Sequence, residues 1–302
     1  MKKTSNHFSS QGVQHIYQRA HDWGVIFYDD IDRLEFFCID SVIARRYGIT
    51  VYGISLMFTH LHKSIIARMK QQMCKYVQDS SSIFARVYNA HHGRKGVLFQ
   101  QKFGRASRVG PKKIRENLAY VYNNHVEKGL CTHPIEERWC FLPYAKSKNP
   151  FSKPINLDAA SKQLKSAIRI VDRRRKNDEF LRYGELCKMI YRLSQEEQEQ
   201  LKDYIISSYM YIDFEGAASY FGSFEDMVHA FKSTSGSGWG IKEEYNNCSD
   251  KEYIKLNKLF ASKGWSINKI FSMAKEELKQ LANELFLQYG FNPIALQKYL
   301  HI

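Results

Sequence analysis

Two short segments of this chain hold residues that could do chemistry together. His60 and His62 flank Leu61, directly after an apolar, β-branched stretch at residues 49–58. If that strand continues, side chains alternate, so both imidazoles project from one face while Leu61 points to the core. Two imidazoles so placed can share one divalent ion, although a His-X-His pair also arises by chance. The second segment carries Tyr120 and Asn124, at i and i+4 of a helix opened by Pro111. That spacing puts phenol and amide on one face, one turn apart, where both could approach one metal site. Taken singly, Tyr120 is one of 19 tyrosines and reads more readily as an aromatic on a core-facing stripe. Tyr122 lies about 200° around the helix from Tyr120 and cannot share a face with Asn124.

The elements that must position these groups come from periodicity and breakers. Residues 12–20 alternate weakly and read as a strand. Asp32 can cap a helix with apolar residues at Leu34, Phe37, Cys38 and Ile43, stopped by Gly48. Residues 49–58 read as a central strand. Helical segments are expected from Lys63 to about Ala90, broken at residues 79–82, with a turn at 93–96 and a strand over 97–103. Pro111 then opens a helix to about Glu127, before Gly129. Strands alternating with helices give an α/β or α+β sheet with helices packed on it. Residues 149–154 contain two prolines and no helix signal, so a domain boundary is set there, dividing 1–150 from 151–302. The second half reads as all-helical, with segments near 158–175, 180–193, 196–211, 224–231, 250–262, 266–273, 275–289 and 293–302 and a flexible loop at 233–238.

Charge points to a polyanion. The net charge is +14, and residues 1–150 carry +12 of it. An electrostatic grip on nucleic acid therefore belongs to the first half. Lys102, Arg105, Arg108, Lys112, Lys113 and Arg115 form a basic run beside the Tyr120 helix, interleaved with Phe99 and Phe103. Cations tracking phosphates, with aromatics for stacking, suit single-stranded DNA. No apolar run is long enough to span a bilayer, and basic Met1-Lys2-Lys3 is not followed by a signal-peptide core. The six cysteines show neither metal-finger spacing nor a dense disulfide pattern, as expected of reduced thiols in the cytoplasm.

Several segments together are similar to a known family. Leu56-Met57-Phe58-Thr59-His60-Leu61-His62 resembles the histidine–hydrophobe–histidine motif of single-tyrosine HUH transposases, which in the REP-associated branch reads roughly Met-Pro-Asn-His-X-His. Residues 96–103, Gly-Val-Leu-Phe-Gln-Gln-Lys-Phe, look like that branch's Gly-X-Leu-Phe/Trp-Gln-X-X-Phe segment. Residues 120–130 resemble its Tyr-Ile-X-X-Asn-Pro-Val-X-X-Gly-Leu helix. His15-Ile16-Tyr17-Gln18-Arg19 fits its first strand, and Arg138-Trp139 has a counterpart. The likeness covers roughly residues 12–145. It departs at Phe58-Thr59, where Pro-Asn is usual, and at His125, where proline is usual.

The resemblance implies an α+β fold: a ferredoxin-like antiparallel sheet with packed helices in 1–150, followed by an all-α region. It implies a metal-dependent single-strand DNA endonuclease and strand transferase working through a 5′-phosphotyrosine. Tyr120 is then the nucleophile, and His60, His62 and Asn124 hold Mg²⁺ or Mn²⁺. Arg19 joins the basic run as a candidate DNA contact. The partner is single-stranded DNA with hairpin ends, and the expected form is a monomer, with a dimer as the alternative, in the cytoplasm at the nucleoid. For 151–302 the expectation is an accessory unit, with a helix-turn-helix at 266–302 as one role. The alternatives are a non-catalytic domesticated DNA-binding regulator and a rolling-circle initiator or relaxase.

Overall fold

Strand β1 (Val13–Arg19) turns Gln14, Ile16 and Gln18 to one face and Val13, His15, Tyr17 and Arg19 to the other. The computed structural model describes residues 8–233 and 249–302. Residues 234–238 of the expected loop, the basic N-terminus and Cys248 lie outside the described residues. After β1 come α1 (Asp30–Arg46), β2 (Thr50–Leu56), β3 (His60–Ile66), α2 (Lys70–His92), β4 (Gly104–Arg108) and α3 (Pro111–Glu127). The sheet order is β2-β3-β1-β4 with every neighbouring pair antiparallel. With β-α-β-β-α-β connectivity, this is the ferredoxin-like arrangement.

The alternation assigns each face a partner. Ile16, Leu61 and Ile65 share a core with Leu34, Phe37 and Val42 of α1 and Met73, Val77 and Phe84 of α2. The opposite face receives α3, which touches β2 and β3 and buries Ile114, Leu118 and Tyr122 with Val13 and Tyr52. The sheet is thus sandwiched between α1/α2 and α3.

Helices make up the second half: α4 (Lys162–Lys176), α5 (Tyr183–Ile190), α6 (Gln195–Tyr209), α7 (Phe214–Ala218), α8 (Phe224–Ser233), α9 (Lys251–Ser262), α10 (Ile267–Ser272), α11 (Lys275–Tyr289) and α12 (Pro293–Leu300). Leu164, Leu186 and Ile205 join the α1/α2 core. The last four helices bury Tyr253, Phe260, Leu281 and Tyr299 around Val25, Tyr28 and Phe58. Among the described residues no helix is long and apolar enough to cross a membrane, and the five described cysteines are free.

Several local readings need correction. Asp29, not Asp32, caps α1: its Oδ1 accepts from the amides of Ile31 and Asp32 at 2.9 Å. Asp32 sits in the first turn, where its Oδ2 accepts from the Tyr28 amide. His60 and His62 do not continue the preceding strand but open the next one, after a turn in which the Met57 amide donates to His60 O. The period of two holds all the same. α2 is unbroken through residues 79–82, because Ser80 and Ser81 donate to Val77 O and stay within the helix. Residues 97–103 form no strand beyond a bridge from Phe99 to Ala20; β4 begins at Gly104. Gly104 fits there because a Cβ would come within 1.8 Å of the Tyr17 ring.

Candidate functional site

The face of the sheet under α3 gathers the predicted chemistry. Register pairs Tyr17 with His62 and Arg19 with His60 across β1 and β3, and Val13 with Arg108 across β1 and β4. His60, His62, His15, Tyr17, Arg19 and Arg108 therefore share this face. From above, α3 brings Asn117, Tyr120 and Asn124, spaced i, i+3 and i+7, down to the sheet. The Asn117 amide donates to Ser64 Oγ at 2.5 Å, fixing the helix over β3. The Tyr120 ring centroid lies 5.2 Å from that of His62, edge to face, and the two histidine rings are 5.0 Å apart.

Each imidazole has a hydrogen-bond partner at Nδ1. His60 Nδ1 is 3.0 Å from Thr59 Oγ1, and His62 Nδ1 is 3.0 Å from His15 Nε2. A ligating histidine commonly gives its other N–H to an oxygen or nitrogen outside the coordination shell. This pattern presents Nε2 of both rings as the ligand atoms, so the donor set fits a divalent ion. Asn124 is buried, and its amide nitrogen donates to Tyr120 O at 3.2 Å.

The site is closed to solvent. His60 is 7% exposed, His62 1%, Tyr120 3% and Asn124 1%. Arg108 is half-buried at its edge. Burial lowers its pKa, and the nearby charges of Glu116 and Tyr120 work the other way.

The neighbours of Tyr120 on α3 are spent on structure. Tyr122 is fully buried, donates to Tyr52 O at 2.7 Å and stacks on Phe231. His125 has Nδ1 at 3.2 Å from Ser55 Oγ and Nε2 at 3.3 Å from Leu56 O. Burial pushes its pKa down, so it is a neutral core histidine.

The basic run divides. Lys102, Lys112, Lys113 and Arg115 are exposed, and Arg115 donates to Tyr220 O. Arg105 pairs with Ile16 and so points to the α1/α2 side, away from the histidines. Phe99 is a core residue beside Phe84 and offers no stacking surface. The exposed aromatics near the site are Tyr17 and Trp23, with the Arg19 guanidinium 6.0 and 5.3 Å from their rings.

Sequence reasoning used His15 only within a likeness. The same period of two that singles out His60 and His62 puts His15, Tyr17 and Arg19 on one face, and this signal went unused. It missed a second group altogether: Asp32, His91 and His92 could hold a metal ion on the other side of the sheet.

No protein-family model and no curated protein matches this chain. Among solved structures, a REP-associated tyrosine transposase bound to a REP hairpin is similar at 14% identity and a TM-score of 0.38, over 46% of this chain and 81% of that one. A likeness at that score bears on neither fold nor function.

Proposed function

We propose that residues 1–150 form a metal-dependent single-strand DNA endonuclease and strand transferase that cuts with Tyr120, and that 151–302 serve as its helical accessory unit. The observation that carries this reading is the contact of the Tyr120 and His62 rings, 5.2 Å apart, beside a second histidine of matching orientation. The motif resemblance over residues 12–145 supports it independently.

His60 and His62 would hold Mg²⁺ or Mn²⁺ through Nε2, with the Asn124 amide oxygen as third ligand. When bound, such an ion neutralises charge on the phosphoryl oxygens. Thr59 and His15 fix the two imidazoles by their Nδ1 contacts. Tyr120 Oη forms a bond to phosphorus and the P–O3′ bond breaks; the phenol loses a proton and the departing 3′ oxygen gains one. A tyrosine with a pKa near 10 needs a nearby cation to react at neutral pH, and Arg108 supplies one. The 5′-phosphotyrosine keeps the bond energy, so another 3′-OH can reverse the step on a second DNA end.

Tyr17 and Trp23, bracketed by Arg19, offer stacking surfaces for unpaired bases. Lys102, Lys112, Lys113 and Arg115 extend the cationic surface along α3. Because Tyr120 is 3% exposed, α3 must move off the sheet before a phosphate reaches it. Arg115 and Asn123 tie α3 to backbone carbonyls of the second half, at Tyr220 and Phe231, so that unit is placed to restrain the movement.

The same burial favours a second reading, a DNA-binding regulator that keeps the fold and does not cut. A denaturing gel separates the two. The protein is incubated with labelled single-stranded hairpin DNA from its genomic flanks, in Mn²⁺ or in EDTA. A covalent protein–DNA band that requires Mn²⁺ is expected. Binding in both conditions without a covalent band would leave the regulator.

A further inference from the structure

On the α1/α2 side of the sheet, the last two residues of α2 meet the first turns of α1. We propose that Asp32, His91 and His92 bind a structural divalent ion of the zinc class. Asp32 Oδ1 lies 2.9 Å from His92 Nε2 and 3.6 Å from His91 Nε2. Ligands about 2.0–2.2 Å from a tetrahedral zinc stand about 3.3 Å from one another, and the two separations bracket that value.

The surrounding groups are arranged as an outer coordination shell. His92 Nδ1 faces Asn268 Oδ1 at 3.1 Å, and the Asn268 amide nitrogen donates to His91 O at 2.9 Å, which fixes the direction of that side chain. His91 Nδ1 faces Glu35 Oε2 at 3.7 Å. Asp32 Oδ2 accepts from the Tyr28 amide, which leaves Oδ1 turned toward the two imidazoles. Both histidines therefore present Nε2 to one point and Nδ1 to an oxygen, as metal-bound histidines do.

A plain ion pair between Asp32 and His92 accounts for less. It leaves His91 Nε2 and Glu35 Oε2 buried with no hydrogen-bond partner among the described residues, at a desolvation cost. An ion at the shared point takes up His91 Nε2 and draws His91 Nδ1–H toward Glu35. Tyr88, whose buried hydroxyl also lacks a hydrogen-bond partner and whose ring packs 4.4 Å from His92, or a water completes four ligands. Two imidazoles with one carboxylate in a closed site suit zinc over Mg²⁺, which prefers oxygen ligands and retains waters.

The ion's role is mechanical. Its ligands come from α1 and α2, Asn268 brings in α10, and Tyr183 of α5 stacks on His91 at 3.7 Å. One ion thus ties helices of the second half to the sheet-bearing half.

The test uses the full chain, with its purification tag removed and His60→Ala/His62→Ala in place so that the other site contributes no metal. After dialysis against Zn²⁺ and then buffer, elemental mass spectrometry is expected to find about one zinc per chain, and a chelator to lower Tm by about 10 °C. Adding Asp32→Asn, His91→Ala and His92→Ala should remove the zinc. Should that variant fail to fold, His92→Cys decides: bound zinc, and a thiolate-to-metal charge-transfer band with Co²⁺, are expected. No zinc in the His60→Ala/His62→Ala protein, zinc undiminished when the three ligands are replaced, or a Cys variant without the band would each overturn the proposal. The outcome is independent of whether Tyr120 forms an adduct.

Discussion

The two faces of the sheet use buried polar groups in opposite ways. Toward α1 and α2, Lys63 and Asp40 are both fully buried and form an ion pair at 2.5 Å, and Asp40 also accepts from the hydroxyls of Tyr76 and Tyr211 at 2.6 Å. These four groups saturate one another, and their network holds helices to strands. Toward α3, three histidines, two tyrosines and two arginines gather with no carboxylate of the sheet among them. That composition, on the proposed reading, suits a face that takes a phosphate and a cation. On the proposed reading, the Lys63–Asp40 network serves stability and the α3 face serves chemistry.

Substitutions on the two faces should therefore separate stability from activity. The largest effect on folding is expected from Asp40→Ala, which strands Lys63 as a buried charge; a loss of about 3–5 kcal/mol should appear in the denaturant midpoint. On the other face, His15→Ala removes the group holding His62 Nδ1. The Mn²⁺ concentration needed for half-maximal adduct should rise about 10- to 100-fold, with little change in Tm. An equal fall in stability would erase the distinction between the faces. Tyr122→Phe gives up one buried hydrogen bond, to Tyr52 O, and should cost about 1 kcal/mol while leaving adduct yield intact.

The smallest effect concerns a surface link away from both faces, between Asp22, His301 and Arg94. Burial works to raise the Asp22 pKa, but the hydrogen bond and charge of His301, with Arg94, outweigh it and hold the carboxyl well below its usual range. A folded-state pKa below the unfolded one gives stability that is present above about pH 4 and lost as pH falls further. Asp22→Asn should thus cost less than about 1 kcal/mol at neutral pH and flatten the acid limb of a stability–pH curve.

Periodicity carried much of the fold. The alternation in residues 12–20 and the apolar run at 49–58 became β1 and β2, and Pro111 opened α3 as its fixed φ and missing N–H allow. Lys275–Tyr289 has the same bounds in sequence and structure, and Gly290, at a positive φ, ends it. Misreadings arose where a local signal lost to context. Ser80–Ser82 look like a breaker, but all three hydroxyls bond back to carbonyls within their own helix. Residues 97–103 have strand-like composition, yet their backbone meets the end of β1 only around Arg19, Ala20 and His21, through one bridge and two hydrogen bonds.

The candidate sites divide by the same logic. His60 and His62 are two residues apart on one strand, so sequence spacing alone aligns them. His91 and His92 are adjacent on a helix, where neighbours diverge by about 100°. They converge only because Asp32, some sixty residues earlier, lies against the end of α2.

The measurement that bears most directly on the central claim is localisation of the covalent link. Wild-type protein is reacted with single-stranded hairpin DNA and Mn²⁺, the adduct is digested with nuclease and then trypsin, and the peptide between Arg115 and Lys128 is sequenced by mass spectrometry. That peptide holds both Tyr120 and Tyr122. The account predicts a nucleotide phosphate on Tyr120 alone, and no modified peptide from Tyr120→Phe. A nucleotide on Tyr122, or an adduct that persists in Tyr120→Phe, would contradict it.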